Sequence, residues 1–173
     1  MCSSDLRDIA SSPSRLARIE PLTAFRDDLA EGNLPDFSFV APNLCHDMHS
    51  CSVSTGDEWF RDFLPPLLGS PQLERGAVFV VFDEGRRDDT RGGGGLVPAL
   101  ALGEPVRAGA DSSKPVDHYS LLRTIEDAWS LPPLGYSAEA QPITGIWLGR
   151  HAANGPGRDR TSARGFEVRR SIH

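Results

Sequence analysis

Ala77-Val78-Phe79-Val80-Val81-Phe82 is the stretch that most limits what this chain can become. Its residues are all apolar, mostly β-branched or aromatic, and show no alternation, which describes a strand covered on both faces. Such a strand needs a packed layer on each side, so the reading is a layered α/β sheet, mostly parallel. The run stops abruptly at Asp83-Glu84-Gly85, placing two carboxylates and a turn residue at the strand's carboxyl end. With 17 Gly and 14 Pro the chain is too rich in breakers for a helical bundle or coiled coil.

Other elements fit that picture. Leu22, Phe25 and Leu29 fall at helical spacing within 21–30, and Gly32 supplies a stop. Phe37 to Ala41 reads as an apolar strand followed by a polar loop from Pro42 to Thr55. A helix is expected from Asp57 to about Leu68, with Trp59, Phe60, Phe63, Leu64 and Leu67 on one side. Pro65 and Pro66 should shorten or kink it. A second apolar run spans Val97 to Leu102, and a helix from Tyr119 to Trp129 carries Leu121, Leu122, Ile125 and Trp129. Three convincing strands are fewer than a doubly wound sheet carries. Residues 7–20 and 131–149 therefore hide further strands, or part of the sheet lies elsewhere.

Charge excludes some partners. Of the net −6, residues 150–173 contribute +4 and the other 149 contribute −10. An acidic body is a poor ligand for phosphate backbones, so no nucleic-acid partner is expected. The tail over 150–173, rich in Gly and Arg and without apolar periodicity, is expected to be disordered; a basic arm for an anionic surface is the sharper alternative. No apolar stretch reaches the ~18–20 residues that cross a bilayer, and no basic region followed by an apolar run marks a signal peptide. Residues 1–6 look foreign to the rest of the chain, since Cys-Ser-Ser-Asp-Leu is also what one frame of a common sequencing-adapter end encodes. Setting them aside as an assembly artefact removes Cys2 and leaves Cys45 and Cys51.

Ligands of an open parallel sheet bind outside the strands' carboxyl ends. Asn43, His46, Asp47 and His49 follow the strand 37–41, while Asp83 and Glu84 follow 77–82. Parallel neighbours would bring both groups to one edge. Adjacent carboxylates repel and lose hydration there; a bound Ca²⁺, Mg²⁺ or Mn²⁺ relieves both costs. The plainer alternative is a turn cap, with Gly85 at positive φ. Cys45 to Cys51 packs four soft-metal ligands into one short segment, so a zinc loop is available, although no common zinc spacing matches. A disulfide that pins the loop and presents Asp47 and His49 is the better reading. His49 would then serve as a general acid or a donor to a phosphoryl oxygen, or else be an exposed loop histidine. Asp117 reads as an N-cap carboxylate for the following helix, and His118 could alternatively face the strand edge and contact substrate. The glycines 92–95 lack the Lys-Ser/Thr of a phosphate loop and read as a flexible segment.

Pro42-Asn43-Leu44-Cys45-His46-Asp47-Met48-His49, then Phe82-Asp83-Glu84-Gly85, then Gly92 to Gly95 with Val97-Pro98, then Asp117-His118-Tyr119-Ser120-Leu121-Leu122-Arg123-Thr124-Ile125-Glu126-Asp127 together resemble one family. It is the bacterial phosphoesterase family of secreted acid phosphatases and phospholipases C, within the alkaline-phosphatase-like superfamily. The match runs in order from about Leu16 to Leu134. The resemblance implies a three-layer α/β/α sandwich, here partial, and metal-assisted hydrolysis of a phosphate ester by a Ser or Thr nucleophile. It implies that Asp83 and Glu84 hold a divalent metal (Ca, Mg, Mn or Zn). It implies that His49, supported by Asp47, contacts phosphate or protonates the leaving oxygen, with Asn43 and His118 on the substrate.

The family's opening strand, with its Glu-Asn ligand pair, and its Ser/Thr nucleophile do not appear here. The expectation is therefore an N-terminally truncated fragment: 7–149 as the C-terminal part of a phosphoesterase domain, with an unplaced tail. The short, Cys-flanked loop favours the acid phosphatase branch. A phosphate-ester small molecule or a phospholipid head group would be the substrate, and the parent protein would be secreted or held in the cell envelope. A non-catalytic α/β module binding an anion at the same edge is the alternative.

Overall fold

The structure, a computed structural model, describes residues 7–86, 88–91, 94–112 and 114–149, together with the backbone of 168–172. Its two compact units are residues 1–72 with 160–173, and residues 73–159. The expected artefact at 1–6, Gly92, Gly93 and most of the expected tail lie outside the described residues.

The first unit begins with two single helical turns, α1 (Arg7–Ala10) and α2 (Pro13–Leu16), and a two-residue strand β1 (Ile19–Glu20). Helix α3 (Leu22–Glu31) ends where Gly32, at φ 79°, donates its N–H to the Asp28 carbonyl; a left-handed residue after the last turn is a glycine's position. Strand β2 (Phe37–Ala41) follows, then α4 (Val53–Leu68), capped by the Ser52 side chain, which accepts from Thr55 N–H. Helix α4 thus starts earlier than its apolar stripe announces, because the cap rather than hydrophobicity sets its beginning.

Phe25 on α3 and Trp59, Phe63 and Leu67 on α4 are buried and form this unit's core. The Trp59 and Phe63 rings stack at 4.6 Å, and Phe25 meets Phe63 at 5.6 Å. Burial of such side chains stabilises by roughly 1.5–3 kcal/mol each. Gln72 ties the connection below α3, accepting from Leu34 N–H at 2.7 Å and donating to the Leu29 carbonyl at 3.2 Å. Helix α4 runs through Pro65 and Pro66 to Leu68, the expected end, so the prolines do not shorten it. The carbonyls that lose their partners belong to Arg61 and Asp62, residues on the exposed side of the helix, where the loss costs least. The buried face keeps Phe63 and Leu67 in register.

In the second unit β3 (Val78–Val81) pairs with β4 (Ala99–Leu102), Val78 opposite Leu102 and Val81 opposite Ala99. The pairing is antiparallel, which corrects the expectation of a parallel neighbour for this strand. Val81 is also 38% exposed, so the apolar run is not covered on both faces. Lack of alternation reports an apolar environment, not strand direction, and a partner 21 residues away can return antiparallel through a loop. Helix α5 (His118–Ala128) opens with a capping box: Asp117 Oδ1 accepts from Ser120 N–H at 2.8 Å, and Ser120 Oγ accepts from Asp117 N–H. After α5 a helical turn at Gly135–Ala138 is fixed from inside. Glu126, 2% exposed, accepts from Ser137 Oγ, which is fully buried, and from Leu134 N–H at 2.9 Å. Thr124 Oγ1 accepts from Ile143 N–H, drawing the next segment onto the helix, and Trp147 meets Phe79 edge-on at 6.1 Å.

Strand β5 (Val168–Ile172) lies between β1 and β2, parallel to both, with Arg170 opposite Ile19 and Phe39. The expectation of a disordered tail does not hold for these five residues. Sheet pairing uses backbone groups, so Val-Arg-Arg-Ser-Ile can form a strand without an apolar pattern. Helices and strands are thus mixed along the chain, consistent with the α/β class.

Candidate functional site

In the first unit the segment after β2 is a tight, cross-linked loop. Asn43 Oδ1 accepts from Cys45 N–H at 3.1 Å and His46 N–H at 2.9 Å, turning the chain as soon as the strand ends. Cys45 and Cys51 are joined by a disulfide, with Cα atoms 4.6 Å apart. Their sulfurs are therefore unavailable to zinc, and the thiolate zinc-loop alternative falls. Closing so short a loop stabilises by roughly 2 kcal/mol on chain-entropy grounds. Asp47 Oδ1 accepts from His49 N–H at 2.9 Å, holding the backbone that carries the imidazole. His49 itself is exposed, its Nδ1 3.1 Å from Ser50 Oγ. His46 stacks on Trp59, with ring centroids 5.8 Å apart, which docks the loop on α4. Met48 sits at φ 69° against Gly56, where a Cβ would lie 2.5 Å from its Cγ and Cε.

In the second unit the edge is built on the last residues of β3. Asp83 and Glu84 are both exposed, and Asp83 Oδ1 accepts from Glu84 N–H at 3.1 Å. His118, the first residue of α5, brings Nε2 to 2.8 Å from the Phe82 carbonyl. A carbonyl only accepts, so Nε2 carries the proton and Nδ1 is the nitrogen left to act. This contact sets an imidazole one residue from the carboxylate pair. Gly85 has no positive φ, contrary to the turn-cap alternative. It is small because Gly95 comes against it: a Cβ at Gly85 would meet the Gly95 Cα and carbonyl carbon at 2.9 Å.

A clasp that the sequence reading missed holds that crossing. The Asp89 carboxylate accepts from Arg91 Nη2 at 2.6 Å, from Arg91 Nε, and from the N–H groups of Arg91 and Leu96. The Arg91 guanidinium, followed by the Leu96 and Arg91 N–H groups, holds the Asp89 carboxyl well below the usual carboxylate range. Its folded value is depressed. The contribution is therefore complete above the unfolded aspartate value near ~3.9 and is lost only as pH falls through the much lower folded one. Amide exchange at Arg91 and Leu96 is expected to stay protected from pH 7 down to pH 4 and to rise at both pH values in Asp89→Ala. Loss of protection by pH 5 in the unaltered chain would contradict this account.

Asn43, Asp47 and His49 belong to the first unit; Asp83, Glu84 and His118 belong to the second. The premise of parallel neighbours is corrected, since β2 pairs with β5 and β3 with β4. Two exposed carboxylates suit a hard divalent ion, which uses one or two carboxylates together with water and phosphate oxygens. Among the described residues no group of three or more His, Cys, Asp or Glu side chains gathers as a metal site. Asp83 and Glu84 fit a metal as part of a ligand set.

The comparisons with known proteins agree on one family. The model of the Phosphoesterase family matches residues 3–132, reaching into the hexapeptide expected to be foreign. A phosphatidylinositol-3-phosphatase of Mycobacterium tuberculosis is 33% identical over 127 residues, covering 73% of this chain and 41% of that protein. A probable acid phosphatase of Kluyveromyces lactis is 32% identical over 132 residues, 74% of this chain and 31% of that protein. An acid phosphatase of Aspergillus fumigatus is 29% identical over 131 residues, 73% of this chain and 29% of that protein. This chain spans about a third of the length of the relatives it matches. No solved structure matches it. With the family model covering most of the chain, and the Asn43–His49, Asp83-Glu84 and Asp117–Asp127 segments all within the match, the chain belongs to the Phosphoesterase family.

Proposed function

We propose that this chain contributes to the hydrolysis of phosphate esters, in the manner of an acid phosphatase, within an α/β/α domain whose complete sheet is mostly parallel. The observation that carries the reading is the strand end in the second unit, where Asp83, Glu84 and a His118 ring of defined tautomer lie at consecutive chain positions and across one hydrogen bond. Family membership supplies the reaction class. The relatives' names supply phosphomonoesters and phosphoinositides as substrate classes; phosphodiesters, as for a phospholipase C, are a third.

Asp83 and Glu84 would hold a divalent ion, which when bound neutralises charge developing on phosphoryl oxygens. His118, with Nε2 donating to the Phe82 carbonyl, keeps Nδ1 as an acceptor for a water or a protonated oxygen. On the first unit's loop, His49 is the proton donor to a leaving oxygen, Asp47 fixes its backbone, and Asn43 shapes the turn that presents it. The disulfide fits folding in an oxidising compartment, which supports secretion or the cell envelope as location. No helix among the described residues is long and apolar enough to cross a membrane.

Calorimetric titration of the full chain with Mn²⁺ is the test. With two carboxylates as the protein's share, binding in roughly the 10⁻⁴–10⁻³ M range is expected. Asp83→Asn should weaken it by about tenfold or more, while Asp62→Asn on the exposed side of α4 should not. Equal affinity in both variants would remove the metal site. Anion binding that survives both chelation and Asp83→Ala would favour the non-catalytic module.

A further inference from the structure

Phe82 is the first residue past the ladder of β3 with β4, whose last pair is Val81 with Ala99. Its carbonyl accepts instead from a side chain 36 residues on, His118 Nε2 at 2.8 Å. An exposed hydrogen bond of this kind adds little to stability. Its effect is directional, because a peptide unit is planar and its oxygen cannot be held without holding its N–H. The N–H of that unit belongs to Asp83.

The peptides that follow are held by shorter reach. The next N–H, of Glu84, donates to Asp83 Oδ1 at 3.1 Å. The one after it, of Gly85, donates to the Gly94 carbonyl at 2.8 Å. Three consecutive peptide units through the carboxylate pair are therefore fixed. Two of the partners belong to the same loop, and the first stands on a helix.

That helix is a firm anchor. Asp117 Oδ1 accepts from Ser120 N–H at 2.8 Å, and Ser120 Oγ, itself buried, accepts from Asp117 N–H. This capping box locks the turn on which His118 stands. The imidazole has two side-chain torsions to immobilise, and it donates without bringing a permanent cation. A lysine or arginine in its place would set one at the peptide entering Asp83 and compete with a metal for the carboxylates.

We propose that His118 is a positioning residue: by holding the Phe82 carbonyl it orients the peptide that enters Asp83, and so presets the carboxylate pair for a divalent ion. This rests on the metal edge proposed above and adds what sets its geometry. A preset pair loses less freedom when the ion binds, and the gain appears as affinity.

The test is ¹H–¹⁵N spectroscopy of the full chain without metal, followed by calorimetric titration with Mn²⁺. A hydrogen bond at a carbonyl polarises its whole peptide unit, so the Asp83 ¹⁵N shift reads the Phe82 contact directly. His118→Ala is expected to move the Asp83 and Glu84 resonances and to leave those of residues 78–81 and 121–128 in place. It should weaken Mn²⁺ binding about fivefold, the worth of one hydrogen bond. His118→Gln, whose amide N–H reaches as far as Nε2, should restore the resonances and bring the affinity within about twofold of the unaltered chain. Unmoved Asp83 and Glu84 resonances in His118→Ala, no rescue by His118→Gln, or disturbance spread through β3 and α5 overturns the positioning role and leaves the metal edge standing. Failure of the unaltered chain to bind Mn²⁺ overturns the metal edge, and this role with it.

Discussion

Ser137→Ala is expected to destabilise the second unit by about 3 kcal/mol, because it strips the main hydrogen-bond donor from a carboxyl group that has no water to turn to. Glu126 is 2% exposed, and its two oxygens lie 2.9 and 2.7 Å from Ser137 Oγ. Without that hydroxyl, Leu134 N–H, 2.9 Å from Oε1, is the donor that remains among the described residues. A loss of this size in a unit of such length lowers its thermal midpoint by roughly 10–20 °C, which near-ultraviolet circular dichroism would follow. Glu126→Gln provides the contrast, since its carbonyl still accepts from Leu134 and its amide can donate to Ser137; a loss under about 1 kcal/mol is expected. Glu126→Ala and Ser137→Ala together should cost little more than either alone, because they dismantle one network. Simple additivity would mean that the two side chains act separately.

Gly56→Val should be nearly as damaging, at roughly 3 kcal/mol, through overpacking instead of lost hydrogen bonds. A Cβ there already falls 2.5 Å from Met48 Cγ and Cε and 3.0 Å from the His46 carbonyl oxygen. The methionine's outer atoms can swing aside, but the carbonyl belongs to the disulfide-closed backbone and cannot retreat alone. The branched side chain must therefore push the whole loop off α4, carrying Asp47 and His49 with it. Loss of the His46–Trp59 stacking, read from tryptophan fluorescence, should accompany the fall in stability. Met48→Ala added to Gly56→Val should recover at least half of the loss by opening the space above the helix. If it recovers none, the damage lies in the helix backbone and not in the loop contact.

Much of this was legible in the sequence, and what was not was hidden for several physical reasons. Helix α3 and its Gly32 stop, strand β2, the apolar face of α4, and α5 behind Asp117 are set by periodicity and caps, which neighbouring residues alone determine. The strand at 78–81 was legible as a strand, but its antiparallel partner was not, because an unbroken apolar run carries no sign of direction. Asp89 was invisible for another reason. Its partners are two and seven residues on, within a loop that has no period, and only the folded crossing of Gly85 and Gly95 brings them together. Glu126 looked like one more charge on a helix surface, since nothing in the sequence says that Ser137 returns to cover it. Of the candidate site, the Cys45–Cys51 link and the Asp117 cap were legible because their partners lie close along the chain, whereas the contacts of Asn43, Asp47 and His118 emerge only in the folded loops.

Strand β5 has a consequence for the order in which the molecule can be made. It stands between β1 and β2, and its partners Ile19 and Phe37 precede it by more than a hundred residues. During synthesis from the amino terminus, β1 and β2 wait for the strand between them until the second unit has been made. The second unit lies wholly between those partners in sequence and can settle its own contacts first. The early helices and β2 must then stay loosely gathered, with two unpaired strand edges, until a late and entropically slow ring closure completes the sheet. A nascent chain of this design is most exposed to mispairing in that interval, which gives a chaperone a defined window in which to act.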